Sequence, residues 1–352
     1  MKTTAISAAQ PPLAAWFPGS DHRVAPLGAG YINRTFLVTR GAAEFVLQEL
    51  SQAVFQDPEY VLSNQQLVLA AAAQSRWFSY QLPELIPTDV GQPWACSGSS
   101  YWRLSPRIGP ATCFNEAQTP AQAEAAGRAF ADYQRMLNEA DPDLIAENMQ
   151  PVIPGFHCLP DYLRALAHNR DSATDDNRQA ESLALAKELE SRAETYSTIP
   201  FAAPSLIHGD CKLNNLLFDP TGSAVIGVLD LDTTMVGQWW WDFGDLVRSV
   251  AHTQTDSIDQ SLFAAAAAGF FDSWGELDAQ TRRLACVAPS YMAYMLCVRF
   301  LSDHFAGDRY FLVDYRGENL QRALRQFRAL RDLESDAVAG AMSRSLARLR
   351  KG

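Results

Sequence analysis

Between residues 23 and 50, apolar and polar positions alternate in three runs: RVAPL, RTFLVTR and EFVLQEL. GAGYIN separates the first two and a Gly-Ala turn the last two. A period of two turns one face of each run inward, which predicts strand, Gly-containing turn, strand, tight turn, strand. Residues 58–80 switch to helical periodicity, entered at Asp57-Pro58 and ending before LPELIP. Residues 84–107 return to short strands broken by Gly, Pro and Ser and end in YWRLSPRI. The first hundred residues thus read as a small sheet plus one helix.

The pattern changes after Pro110. AQAEAAGRAFADYQRMLNEA, within residues 120–139, predicts an Ala-rich amphipathic helix, and residues 160–169 and 177–198 predict two more. The polar stretch HNRDSATDDNR between those two is expected to be an exposed loop. Short apolar runs follow in LIHGD, LLFD and AVIGVLDLD, and from residue 241 the pattern is mostly helical. No repeat of 20–50 residues is present. The expected organisation is a β-rich N-lobe over residues 1–107 and a larger helical C-lobe over 108–352. The lobes would meet near Arg107–Ala111, and ligands favour crevices between such units.

Composition narrows the chemistry. The 352 residues are more than one core normally serves, and 47% hydrophobic content is ordinary for a globular chain. Lys+Arg total 29 against 40 Asp+Glu, a net charge of −11, which gives no support to a nucleic-acid or anionic-membrane surface. The six cysteines form no C-x-x-C pair and suggest neither zinc nor a disulfide framework, as expected of reduced thiols in a cytoplasmic protein. The opening MKTTAISAAQPPLAAW makes a poor signal peptide, and no run of about 18 apolar residues suggests a membrane span. Oligomeric state is not legible. Lysine occurs only at positions 2, 187, 212 and 351, so the whole stretch 3–186 lacks one.

The strongest chemical signal is His208-Gly209-Asp210-Cys211-Lys212-Leu213-Asn214-Asn215, followed by Asp230-Leu231-Asp232. Phosphoryl transfer needs a base for the attacking hydroxyl and oxygen ligands for Mg²⁺. Asp210 can take the proton, and Asn215, five residues on, can offer its amide oxygen to the metal. Asp230 supplies a carboxylate from the far arm of a hairpin whose turn is Asp219-Pro220-Thr221-Gly222. Lys212 can neutralise charge on the transferring phosphoryl. For Asp232, sharing the metal, orienting Asn215 and purely structural hydrogen bonding all stay open.

This set resembles the H-x-D-x-x-x-x-N loop and the later metal-binding Asp of kinases. Gly209 and the D-x-D pattern resemble the aminoglycoside phosphotransferase and choline kinase branch. A closer resemblance runs from about residue 20 to 330, through GAGYINRTFLV, FVLQELSQAVF, KLNNLLFD, DLDTTMVGQWWWDFGDLVR and RFLSDHFAGDRYFLVDYRGENL. These segments look like those of the N-acetylhexosamine 1-kinases. The resemblance implies a bilobal, protein-kinase-like α+β fold, ATP and Mg²⁺ as cofactors, and an amino-sugar acceptor phosphorylated at its anomeric hydroxyl. The same scaffold also carries choline, homoserine and aminoglycoside kinases, and a silent pseudokinase module is a further alternative.

Individual positions carry further expectations. Gly28 and Gly30 could place backbone N–H groups over phosphates, or simply join strands. Tyr31 and Asn33 follow that turn within reach of sugar or nucleotide. Gln48 stands where V-A-I-K of protein kinases has its phosphate-anchoring lysine, so the usual Lys–Glu pair is missing. Arg34 is a substitute phosphate partner or, more simply, a solvated strand residue. Arg299 and Tyr310 match positions that the resemblance assigns to sugar hydroxyls. The plain alternative for Arg299 is an ion pair with Asp303. His208 and Asp242 are expected to brace the catalytic loop. Trp239 or Trp240 could stack on a ligand or be simply buried.

Overall fold

A computed structural model describes residues 11–19, 21–27, 32–141, 143, 145–153, 155–251 and 257–349. The N-terminal part is a five-stranded antiparallel sheet ordered β1-β2-β3-β5-β4. Its strands are β1 (Arg23–Pro26), β2 (Arg34–Arg40), β3 (Ala43–Glu49), β4 (Ala95–Ser97) and β5 (Ser100–Pro106). The period-two reading of residues 23–50 is realised as β1, β2 and β3 in antiparallel register.

Alternation sorts β5 between two environments. Trp102 and Leu104 join Val38 and Leu47 in a core covered by Leu13, Trp16 and Phe17. Arg103 points the other way, toward α1 (Pro58–Gln74). That helix stops at Gln74 rather than near residue 80, because Ser75 turns extended and its hydroxyl accepts from the Phe78 N–H. The following aromatics leave the helix axis to pack on α2 (Pro120–Glu139): Trp77 donates to Glu139, Tyr80 donates to Asp132, and Phe78 meets Tyr133 edge-on.

The larger part is helical. After α2 come α3 (Leu159–Ser172) and α4 (Ala180–Ser197), then the short strands β6 (Ser205–Ile207), β7 (Leu216–Phe218), β8 (Val225–Val228) and β9 (Met235–Gly237). Helices α5 (Trp239–Ala251), α6 (Gln260–Phe271), α7 (Ala279–Phe305), α8 (Glu318–Leu333) and α9 (Asp336–Arg348) complete it. The polar stretch 168–178 is not the long loop expected. Helix α3 runs on to Ser172, where Arg178 caps its end by donating to the carbonyls of Arg170 and Asp171, and Arg170 pairs with Glu190 of α4.

β7 and β8 form the hairpin expected around the Asp219 turn, and β6 pairs with β9. Together they hold the loop 208–215 and the turn 230–234 side by side. Helix α7 is long and apolar enough to cross a bilayer by length and composition, but 72% of that window is buried inside the protein. It packs against α3, α5 and α8 as the central core helix.

Small residues set the closest helix crossing. A Cβ on Gly127 of α2 would lie 2.2 Å from the Ala266 carbonyl oxygen, and one on Gly269 of α6 would lie 2.0 Å from that of Glu124. Both obstacles are backbone, so neither can step aside. Gly269→Ala should therefore lower stability by about 1–3 kcal/mol. Gly340→Ala, whose new methyl would meet only the tip of Arg344, should be neutral or stabilising by up to about 1 kcal/mol, as Ala is favoured over Gly in helices. Denaturant melts of both variants check the contrast.

Candidate active site

Asp210 stands in a loop that two side chains hold from behind. Asp242, in the first turn of α5, accepts from the backbone N–H of His208 through Oδ2 and of Gly209 through Oδ1, both at 2.8 Å. Gln134 of α2 donates to Oδ2 of the same carboxylate. The His208 ring is wedged edge-on against Phe130 and Tyr133, with Nε2 2.9 Å from the Leu229 carbonyl oxygen. Gly209 has φ +82°, and a Cβ there would lie 2.6 Å from the Thr233 carbonyl oxygen. Only glycine lets the loop press onto the 230–234 turn at that point.

The forward face presents Asp210 and Lys212 to a cleft. Lys212 Nζ lies 2.6 Å from Asp210 Oδ1 and 2.8 Å from Oδ2. Burial works to raise the Asp210 carboxyl, but the Lys212 ammonium, its hydrogen bond and that from Asn215 outweigh it. The carboxyl therefore lies below its ordinary value and is ionised at neutral pH. Asn215 donates from Nδ2 to the carbonyl and the carboxylate of Asp210. Its amide oxygen is thus the atom left for a cation.

Asp230, at the end of the β8 arm, takes φ +56°, an uncommon conformation outside glycine and one concentrated at functional sites. Burial, then the carboxylates of Asp232 and Asp210, push its carboxyl up to about 7. Such crowding of acids is what a divalent cation relieves. Among the described residues no three His, Cys, Asp or Glu side chains converge as a complete metal cage. The donors present, one amide oxygen and one carboxylate, suit Mg²⁺, which takes one or two protein carboxylates and fills its shell with phosphate and water.

Asp232 faces the same cleft but is almost wholly buried, and protein groups engage both its oxygens. Oδ2 accepts from Asn33 Nδ2 at 2.5 Å, and Oδ1 lies 2.5 Å from Arg103 Nη1 in an ion pair out of line for a hydrogen bond. Asn33 also accepts from the Ser51 N–H, so it belongs to this network while lining the cleft. Gln48 accepts from Arg103 Nε and donates to the Thr35 hydroxyl. Arg34 is half-exposed and paired with Glu49. Gly28, Gly30 and Tyr31 lie outside the described residues.

A cleft of about 330 Å³ runs from Asn33, Asp210, Lys212 and Asp230 to Arg299, Tyr310 and Phe311. The Arg299 guanidinium sits among the rings of Phe156, Tyr162, Tyr310 and Phe311, 5.2–6.0 Å from their centroids, and donates to the Tyr310 hydroxyl at 3.3 Å. Among the described residues no carboxylate pairs with it. Asp303 is committed elsewhere, accepting from the backbone N–H groups of Arg309, Tyr310 and Phe311 and from Asn319.

The tryptophan triplet is core. Trp239 packs on Phe270, Phe271 and Trp274, and Trp240 on Tyr291. Among the cleft residues that escaped the sequence reading is His157, buried, at φ +56°, with Nδ1 unpartnered. Its signal is purely conformational, and nothing in VIPGFHCLP marks it.

Comparisons with known proteins bear on this geometry. Residues 23–279 match the phosphotransferase enzyme family, APH. Among solved structures, the microcompartment-associated aminopropanol kinase superposes with a TM-score of 0.69 at 17% identity, over 94% of this chain and 97% of that one. The aminoglycoside phosphotransferase from Alicyclobacillus acidocaldarius subsp. acidocaldarius gives 0.65 at 14% identity, over 96% of each chain. Spectinomycin phosphotransferase, in complex with ADP and spectinomycin, gives 0.56 at 14% identity, over 94% and 95%. Likeness at these identities establishes the bilobal kinase-like architecture. The family match over most of the chain carries the rest: this chain belongs to the phosphotransferase enzyme family and is a small-molecule kinase.

Proposed function

We propose that the protein transfers the γ-phosphoryl group of ATP to the anomeric hydroxyl of an N-acetylhexosamine, releasing ADP and a sugar 1-phosphate. The observation that carries this reading is the cleft itself. The ionised Asp210 lies at one end and the fork of Arg299 with the Tyr310 hydroxyl at the other. A planar guanidinium can hold two neighbouring ring oxygens at once. Its positive charge, uncompensated by a carboxylate among the described residues, suits a neutral N-acetylated sugar better than a polycation.

In this reading Asp210 takes the proton of the acceptor hydroxyl as its oxygen bonds to the γ-phosphorus. The bond from that phosphorus to the β–γ bridging oxygen breaks, and the electron pair leaves on ADP. Lys212, held against Asp210, keeps the base ionised and stands beside the charge of the transferring group. Asn215 and Asp230 would hold Mg²⁺, which when bound would neutralise charge developing on the transferring phosphoryl.

A second reading has one supporting observation. The aminopropanol kinase and the aminoglycoside phosphotransferases that share the fold are named for amine-bearing substrates. An amino-alcohol acceptor would have to tolerate the Arg299 guanidinium in the cleft.

ATP consumption with a panel of N-acetylglucosamine, N-acetylgalactosamine, choline, homoserine, aminopropanol and an aminoglycoside separates the readings. Phosphorus NMR should find an acid-labile phosphate on C1 of an N-acetylhexosamine. A product phosphorylated on the primary alcohol of an amine would sink the sugar assignment.

Arg299→Ala should raise the acceptor KM about 10–100-fold, the worth of a charged hydrogen bond, and leave the ATP KM within about twofold. Equal effects on both constants would remove Arg299 from the acceptor site. Lys212→Met removes the charge that lowers the Asp210 carboxyl, so that carboxyl rises and the base is protonated at higher pH. The acid limb of the kcat/KM profile should therefore move upward in pH, with kcat down about 10²-fold. An unmoved limb would mean that Lys212 does not keep the base ionised.

A further inference from the structure

The N-terminal sheet lacks the lysine that a kinase nucleotide site ordinarily uses, yet it contains a buried positive charge one strand away. Arg103 on β5 is the register partner of Gln48 on β3. Its side chain is only 3% exposed. Nε donates to Gln48 at 3.0 Å and Nη1 to Gln65 of α1 at 2.8 Å. The same Nη1 meets Asp232, itself 2% exposed, at 2.5 Å. Three elements of the N-terminal part thus converge on one guanidinium, and its counter-charge comes from the Asp230-Leu231-Asp232 turn of the helical part.

An ion pair this deep needs good geometry and added hydrogen bonds to offset desolvation. Two glutamine oxygens supply them here. Neither glutamine is charged, so Asp232 is the acid that balances the guanidinium. With Asn33 on its other oxygen, Asp232 is tied to the sheet from two directions. Asn64 of α1 reinforces the join by donating to the Thr234 carbonyl. Neither Arg103 nor Gln48 lines the cleft, so the cation acts through its partner.

We propose that Arg103 is the positioning cation of the nucleotide site. It replaces the missing strand lysine by clamping Asp232, and so fixes the 230–232 turn, with Asp230 presented to the metal–nucleotide complex and Asp232 withheld from it. In this scheme Gln48 and Gln65 are acceptors that aim the guanidinium, not phosphate ligands. The inference rests on the chain being a phosphotransferase and is independent of which alcohol it phosphorylates.

The test reads nucleotide binding without acceptor, so failure of the sugar assignment does not affect it. Calorimetry with ADP and Mg²⁺ should find Arg103→Met binding at least tenfold more weakly. Moving the charge across the register pair, in Gln48→Lys/Arg103→Met, should recover most of that loss. Asp232→Asn should weaken ADP–Mg²⁺ binding as Arg103→Met does, and the two changes together should do little more than either alone. In steady-state assays the ATP KM should rise while the acceptor KM stays within about twofold.

Should Arg103→Met fail to fold, Asp232→Asn, which keeps side-chain volume, is read the same way. A lower melting temperature with unchanged ADP affinity in the folded protein would make Arg103 merely structural and overturn the proposal. So would Arg103→Met losing affinity while Asp232→Asn keeps it, because the guanidinium would then act on the phosphates directly. Failure of the relocated lysine to restore binding in a folded protein would likewise count against it.

Discussion

Two adjacent backbone N–H groups, those of His208 and Gly209, turn inward and end on the two oxygens of Asp242. An unpaired buried amide costs about 1–3 kcal/mol, so this bidentate acceptor decides whether the loop can sit where it does. It joins α5 to β6 and the 208–215 loop, and Gln134 brings in α2. With the loop braced from behind, its front is free to aim Asp210, Lys212 and Asn215 outward. The acids of the facing turn then set the electrostatics.

Those acids stand close together in a largely enclosed space. Lys212 balances Asp210 and Arg103 balances Asp232, which leaves Asp230 with no cation of its own among the described residues and a raised carboxyl. The imbalance locates where a divalent ion would act and sets the carboxylates apart: one is held by a lysine, one is pushed up by its acidic neighbours, one ties the halves of the molecule together. That division follows from local charge pairing rather than from residue type, since all three are aspartates.

Much of this was legible in the sequence because spacing carries it. H-G-D, the Asn five residues on and D-L-D across a hairpin can be found without coordinates, as can the alternation of β1 to β3. What was not legible depends on tertiary cover. On alternation alone Arg103 falls on the polar face of β5, where an arginine reads as solvated, and only α1 lying over that face makes it a buried charge. The early end of α1 has the same origin, since Trp77, Phe78 and Tyr80 leave the helix for contacts with α2. For Trp239 and Trp240 the sequence leaves ligand stacking and burial both open, and only the packing of Trp239 on Phe270, Phe271 and Trp274 and of Trp240 on Tyr291 decides for burial.

Asp303 gathers three successive backbone N–H groups, of Arg309, Tyr310 and Phe311. The wall of the cleft opposite Asp210 therefore has its main chain fixed by a residue of α7, and its side chains add contacts to the same helix, Tyr310 to Arg299 and Phe311 to Phe300. The hydrogen bonds that set the path of the chain at positions 310 and 311 do not depend on which side chains those positions carry. This wall of the cleft behaves as a socket into which different side chains can be fitted, with the 208–215 loop, built on other elements, left in place. Under the proposed function, that makes this short segment the natural point at which to exchange one alcohol for another.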